Sequence, residues 1–387
     1  MKSETPDIYK WPLIPTERPD YYRPGKFAPI YLGDVLNEIY KIFRKLGYGS
    51  QSTIWLAKDI LHNRYVAVKV YSAEDKLQLV DRIFHDNVEA VLDHFTITSV
   101  NGSHLCTVLE PLGRCLTDII DQKLDAQRGR SESSEDHQKY DPHILLGLDS
   151  LHSQQIVHRD IQPANIAFAL SFELDTMSMD ENSKRHIAWI ERHDGQPLKS
   201  HEIQYAVCPS LLHDRILFDD MPRFRLCLID LGFSQPFDDC DPKLFGPHNY
   251  RSPETILPIP VTYKADIFTA GIVFWEVVTT RNLVWSHYHK GKVDDNQYLR
   301  DLITRLGPMP EHFEKLFPLT DEDYEAPLDE EDFHYGDLQF AARRDGPEDM
   351  TDHERDAFVD LITQMLQWEP EKRPTTKELL KYPFFEL

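Results

Sequence analysis

Between Ile42 and Val70 the chain reads IFRKLGYGSQSTIWLAKDILHNRYVAVKV, and this stretch restricts the possible folds more than any other. Apolar and β-branched residues alternate through it, broken at the glycine turn of Gly47 and Gly49 and again at LHNR (61–64). Alternation with period two between turn residues marks antiparallel strands. Three strands are expected here, then a helical stretch with Leu77, Val80 and Phe84 on one face. VEAVLDHFTITSV and HLCTVLEPL supply two more strands. From about Leu112 helical patterns dominate. The longest strongly apolar run, IFTAGIVFWEVV (267–278), is too short to span a bilayer and reads as a buried helix. Phe358, Leu361, Ile362, Met365 and Leu366 fall on one helical face as core packing. The fold class is α+β: a small β-rich lobe, then a larger helical one, with a cleft between.

At 387 residues the chain is long enough for one bilobed domain or two smaller ones. Residues 1–38 form a proline-rich extension, 39–111 the β-rich lobe and 112–387 the helical lobe. A polar insert at about 171–223 interrupts the last, with HIAWI the place in it for a short helix, and QRGRSESSEDHQK (127–139) reads as a loose loop. The net charge of −23 repels nucleic-acid phosphates and anionic membranes and attracts basic partners, although acidity for solubility explains it equally well. Five scattered cysteines without a C-x-x-C pair suit a reducing compartment rather than a disulfide framework or zinc site. The polar N-terminus is neither a secretory signal nor an anchor, so the expected location is cytoplasm and nucleus.

Glycines at 47 and 49 let backbone N–H groups approach phosphate oxygens, though alone they describe a hairpin turn just as well. AVKV sets Lys69 in an apolar strand, where an uncompensated ammonium is costly. Such a lysine snorkels to an edge or has an anionic partner, and nucleotide phosphates would serve. In HRDIQPANIAF (158–168), Asp160 is placed to accept a proton from an attacking hydroxyl and Asn165 to offer oxygen to a metal ion. RLCLIDLGFS (225–234) is a strand ending in Asp230, a good magnesium ligand. Singly, each acidic residue reads as a solvated loop residue. The order of glycine turn, strand lysine, HRD with its asparagine, DLG and SPE (252–254) is not a chance series.

That series resembles a eukaryotic protein kinase from Leu46 to about Phe385, with YRSPE (250–254), ADIFTAG (265–271) and EKRPT (371–375) as later landmarks. The resemblance implies ATP and Mg2+ as cofactors. Asp160, Lys69 and Gln162 would be the catalytic residues and Asn165 and Asp230 the metal ligands. Leu46, Gly47, Gly49 and Lys69 would face the nucleotide, and Glu110 and Leu112 would form the backbone hinge for adenine. It also implies an ion pair between Glu254 and Arg373, and Asp266 bracing the catalytic loop.

Within the kinases the likeness is to the SR-protein kinases, especially fungal ones. It rests on RKLGYGSQSTIWLA, DLG in place of DFG, the polar insert and the lead-in YLGDVLNEIYKIFRKLG. This implies phosphorylation of serines in Arg/Ser-rich basic proteins, a link to mRNA splicing, no direct nucleic-acid or membrane partner, and a monomer. Asp294, Asp295 and the acidic run 329–332 would attract such a substrate; a solvated loop explains the second run equally.

Two departures bear on activity. Gln162 keeps a donor but loses the positive charge that would stabilise the phosphoryl transition state, although glutamine is common here in the fungal relatives. Arg82 falls near the position of the glutamate that should hold Lys69, with Glu74 early in the chain and Asp81 short. The helix before HRD is also shortened, with Pro142 near its start. A pseudokinase that holds basic partners without transfer is therefore the alternative. Between DLG and SPE there is no threonine and only Ser234, so Asp238, Asp239 or Asp241 would supply standing charge opposite Arg159.

Overall fold

The computed structural model describes residues 9–10, 15–74, 86–127, 142–170, 187–209, 225–239, 246–289, 292–319 and 336–386. The chain divides into two compact units: residues 1–84, 89–114 and 169–216, and residues 85–88, 115–168 and 217–387. The first is β-rich and the second mainly helical, the α+β class expected.

The first unit holds β1 (Tyr9–Lys10), β2 (Val35–Leu36), β3 (Tyr40–Tyr48), β4 (Ser52–Asp59), β5 (Arg64–Tyr71), β6 (Val91–Ser99) and β7 (Gly102–Leu109). β2 to β7 form one antiparallel sheet in the order β2-β3-β4-β5-β7-β6. Alternation sets its register: Ile42 lies opposite Ala57, Trp55 opposite Val68 and Val70 opposite Cys106, and all six are buried. Register shifts at Ile42/Arg44 and Lys45/Gly47 bend β3 as it approaches the glycine turn.

The extension and the insert through residue 216 belong to this unit. Tyr22 and Phe27 of the extension are buried with Ile190, Ile203 and Ala206 of the insert. Ile187–Trp189 is a strand paired with Tyr205–Val207, which corrects the short helix expected at HIAWI. Trp189 meets the Tyr205 ring edge-on at 5.4 Å, a cross-strand contact that a one-turn helix could not make.

In the second unit α1 (Leu116–Gln127), α2 (His143–Ser153) and α3 (Lys264–Thr279) are followed by α4 (Asp295–Leu306), α5 (Glu311–Leu316), α6 (Leu338–Asp345) and α7 (Asp352–Met365). α2 starts directly after Pro142, where a missing N–H costs nothing. Its Gly147 allows close approach: a Cβ there would come within 2.6 Å of the Asn87 carbonyl. α3 is buried along most of its length, and Trp275 stacks on Phe358 of α7 at 5.7 Å. Phe358, Leu361, Ile362, Met365 and Leu366 are all buried, as their spacing requires. A capping box between Thr351 and Glu354 starts α7. Among the described residues no helix is long and apolar enough to cross a membrane. The helical face at Leu77, Val80 and Phe84, the positions Asp81, Arg82 and Asp241, and the acidic run 329–332 lie outside the described residues.

Candidate active site

The first unit carries the residues assigned to the nucleotide. Gly47 pairs with Ile54 at the end of β3, and Gly49 N–H donates to the Ser52 carbonyl at 2.9 Å to close the turn. Neither glycine has a left-handed φ, so glycine is not needed there for backbone conformation. What it supplies is clearance. No described atom lies within 4 Å of where a Cβ would sit at either position, leaving room for a ligand at the backbone. Lys69 stands mid-strand in β5, opposite Ile54 and Thr107, and is 5% exposed. Its Nζ lies 5.2 Å from the Tyr71 ring centroid. Leu46 is the last residue before the glycine pair, and Glu110 to Leu112 follow β7 directly. Glu74, the one acid close after β5 in the described chain, pairs with Lys26 at 2.8 Å.

The second unit carries the residues assigned to the hydroxyl and the metal. Ile166–Ala169 pairs antiparallel with Leu226–Leu228, with Ile166 opposite Leu228. Continuing that register puts Asn165 and Asp230 at the same end of the ladder, and the Ile229 N–H bonded to the Asn165 carbonyl at 2.9 Å fixes it. Asp230 then turns the chain with φ 60°, a conformation aspartate tolerates better than most residues. On the other side His158, Arg159 and Asp160 are all buried. The Asp160 N–H donates to His158 Nδ1 at 3.3 Å, so the ring proton sits on Nε2 and is aimed at the Ile229 carbonyl, 3.1 Å away. One histidine thus ties the catalytic loop to the strand that delivers Asp230.

Asp160 is held from both sides. Gln162 Nε2 donates to its Oδ1 at 2.8 Å and Asn165 Nδ2 to its Oδ2 at 2.6 Å. Burial pushes the carboxyl above the usual aspartate range; His158 and the bonds from Asn165 and Gln162 oppose this, while the charge of Asp230 adds to it. Asn165 directs Nδ2 at the Asp160 backbone and carboxylate, which leaves its amide oxygen as the ligand atom. Among the described residues no group of three His, Cys, Asp or Glu could hold a metal ion alone. One carboxylate and one amide oxygen fit instead a hard divalent cation that completes its shell with phosphate oxygens and water. A cation there would also offset the repulsion between Asp160 and Asp230.

Asp266 on α3 braces this loop, as the resemblance implied. Its Oδ2 accepts from the His158 N–H at 2.8 Å and from His152 Nε2 at 3.1 Å, and its Oδ1 from the Arg159 N–H at 2.9 Å. Burial alone would raise its carboxyl, but these donors hold it below the usual value. The Glu254–Arg373 pair is present, fully buried and bidentate at 2.6 and 2.8 Å. Arg159 turns its guanidinium to the Phe233 carbonyl at 3.2 Å, and Asp238 is exposed. Asp294 caps α4, accepting from the Gln297 N–H at 3.1 Å, and Asp295 pairs with His248 at 3.0 Å while staying 44% exposed.

Gly246 was not anticipated. Its N–H donates to the Arg159 carbonyl at 3.1 Å, and a Cβ there would fall 2.2 Å from Asp160 Oδ1. The backbone therefore closes directly over the Asp160 carboxylate. No neighbouring residue in FGPHNY announces this; only the presence of glycine could have hinted at it.

The protein kinase domain family matches residues 40–173 and 213–385. A serine/threonine protein kinase of Aspergillus fumigatus is 28% identical, the match covering 96% of this chain and 90% of that protein. The serine/threonine-protein kinase SRPK of Physarum polycephalum is also 28% identical, over 94% of this chain and 89% of its own. Human SRSF protein kinase 3 is 36% identical over 39% of this chain and 29% of its own. The chain belongs to the protein kinase family. It is a serine/threonine protein kinase with SR-protein kinases among its relatives, and ATP with a divalent metal ion is the cofactor set of that domain.

Proposed function

We propose that this kinase uses Mg2+ and transfers phosphate to serines in Arg/Ser-rich, basic protein segments. The observation that carries the chemistry is the Asp160 carboxylate, oriented by Gln162 and Asn165 with Asp230 beside it. Asp160 would take the hydroxyl proton as the substrate oxygen bonds to the γ-phosphorus and the bond to the departing ADP oxygen breaks, and a carboxyl raised by burial is the better base. Asn165 and Asp230 hold the ion, which neutralises charge on the phosphates when bound. Lys69 anchors phosphate oxygens, the backbone at Gly47 and Gly49 cradles them, and Leu46, Glu110 and Leu112 receive the adenine. Gln162 orients Asp160 without adding positive charge, so more of the transition-state stabilisation falls to the cation and Lys69.

The substrate class is supported by the net charge of −23 and by the likeness to a kinase named SRPK and a kinase named for SRSF proteins. Asp295, half-buried beside the segment that closes over Asp160, is the favoured contact for a substrate arginine. The test is transfer from radiolabelled ATP to an Arg-Ser repeat peptide, alongside a Lys-Ser peptide and the Asp160→Ala variant. Transfer should favour the Arg-Ser peptide, weaken with salt, and fall by about 10²–10⁴ in the variant. Equal transfer to both peptides would sink the substrate assignment. Nucleotide uptake without transfer would sink the catalytic one.

A further inference from the structure

A deeply buried ion pair in the first unit lies beside the glycine turn. Lys45 immediately precedes Leu46 and Gly47 on β3, and its side chain is 1% exposed. Its ammonium is paired with Glu17 of the extension, itself 2% exposed. The carboxylate is completed by two further extension residues: Tyr22 donates its hydroxyl to Oε1, and Thr16 donates to Oε2 at 2.7 Å. Lys45 also lies over the Trp55 ring at 5.2 Å and the Tyr48 ring at 5.6 Å. The Thr16 hydroxyl reaches the Val207 carbonyl of the insert at 3.3 Å. Glycine strand and extension therefore meet at one carboxylate, with the Val207 carbonyl of the insert beside its Thr16 partner.

A second seam joins the extension to the chain just past Lys69. The Glu74 N–H and the Ser72 hydroxyl both donate to the Gly25 carbonyl, at 2.9 and 3.1 Å, and the Ala73 N–H donates to the Lys26 carbonyl at 3.2 Å. Gly25 has φ +87°, and a Cβ there would fall 2.3 Å from Glu74 Oε1. The extension is thus bonded to β3 and to the residues that directly follow β5.

Stability alone does not explain the ion pair. Removing two charges from water costs about as much as their attraction returns, and apolar residues of similar volume often serve as well. What such a pair does supply is a unique register, and β3 needs one, because its pairing with β4 shifts between Lys45 and Gly47.

We propose that Glu17 and Lys45 are positioning residues for nucleotide binding: the extension locks the shifted strand so that the backbone at Gly47 and Gly49 meets the phosphates. This rests on the phosphate-binding role given to those glycines. The test is the paired variant Glu17→Gln with Lys45→Met, which leaves no buried charge alone, beside the milder Tyr22→Phe. A fluorescent ATP analogue titrated with Mg2+ should bind the paired variant on the order of 3- to 30-fold more weakly, the range of coupling between a positioning contact and a site. Tyr22→Phe should shift the same way by a smaller factor. Melting temperature and KM for the Arg-Ser peptide should hold in both. Folded variants with wild-type nucleotide affinity would overturn the proposal, as would equal loss of nucleotide and peptide affinity. Should the paired variant not fold, Tyr22→Phe decides alone. A wild type that takes up no nucleotide would instead remove the reading of Gly47 and Gly49 on which the proposal stands.

Discussion

Replacing Asp266 by asparagine keeps the shape of the side chain and changes only what its oxygens can accept. The carboxylate takes three donors: the His158 N–H and His152 Nε2 on one oxygen, and the Arg159 N–H on the other. The best-placed amide keeps its oxygen toward the first two and turns its own NH2 on Arg159. One buried N–H is then orphaned, at about 1–3 kcal/mol, and two charge-assisted bonds become neutral, at about 1 kcal/mol each. Relief of the burial that pushes the Asp266 carboxyl upward offsets part of this. The net loss should be about 2–4 kcal/mol, or roughly 5–15 °C in melting temperature. Activity should fall too, because Arg159 is held at φ +73°, a left-handed conformation that its neighbours must enforce. Released, the loop carries Asp160 out of place, so kcat drops while nucleotide affinity is kept. The sign of the pH dependence is fixed. A carboxyl held below its unfolded value contributes stability that is fully present above that value and lost as pH falls through the folded one. The gap between wild type and variant should therefore be full above about pH 4, the ordinary aspartate value, and narrow as pH falls further. A melting temperature within about 2 °C of wild type at neutral pH, less than one kcal/mol for a unit of this size, would refute the brace.

Glu254→Gln should cost about 3–5 kcal/mol in urea unfolding, because it strands a buried guanidinium. Arg373 has all five of its N–H donors engaged, by Glu254, Lys264, Gln367 and Trp368; a loss below about 1 kcal/mol, as at an exposed pair, would show the pair to be dispensable. Gly246→Ala should lower kcat by roughly a hundredfold, the cost of an ångström-scale displacement of a reacting group, with little change in melting temperature. The added Cβ would sit 2.2 Å from Asp160 Oδ1, so one of the two must move; wild-type kcat would mean that the segment opens during turnover. Phosphatase treatment should leave activity unchanged, because the segment between DLG and SPE has no threonine, its one serine, Ser234, already bonds the Leu231 carbonyl at 2.6 Å, and its Tyr250 hydroxyl bonds Glu276 at 2.5 Å. Loss of activity on treatment would contradict this.

What was legible in the sequence followed the length scale of the signal. The strands from Ile42 to Val70 and the stripe on α7 repeat a period over several turns, so local pattern and tertiary packing agree. HIAWI is shorter than any period can resolve. Its strand character comes from Tyr205–Val207, which no local rule connects to it. The extension was legible only as a segment without long helices, because its prolines remove the regular elements that periodicity detects. Its attachment runs through single side chains and turn carbonyls instead. The catalytic loop was readable as a motif, but the bonds that orient it reach Asp266 and Ile229 from distant parts of the chain.

The two strand lysines show how far one physical rule carries. An ammonium buried in a β-strand needs a compensating partner, and AVKV makes that demand visible at Lys69. Lys45 satisfies the same conditions on the neighbouring part of the sheet, and its partner is Glu17, supplied by the chain itself. The rule therefore locates a demand for negative charge and does not say whether protein or ligand meets it. For Lys69 the proposed nucleotide role draws on its company within the first unit, the clearance at Gly47 and Gly49. A lysine of this kind becomes informative about function only when its surroundings are assembled for a ligand. A lysine beside it in a sealed cluster is informative about how that assembly is held.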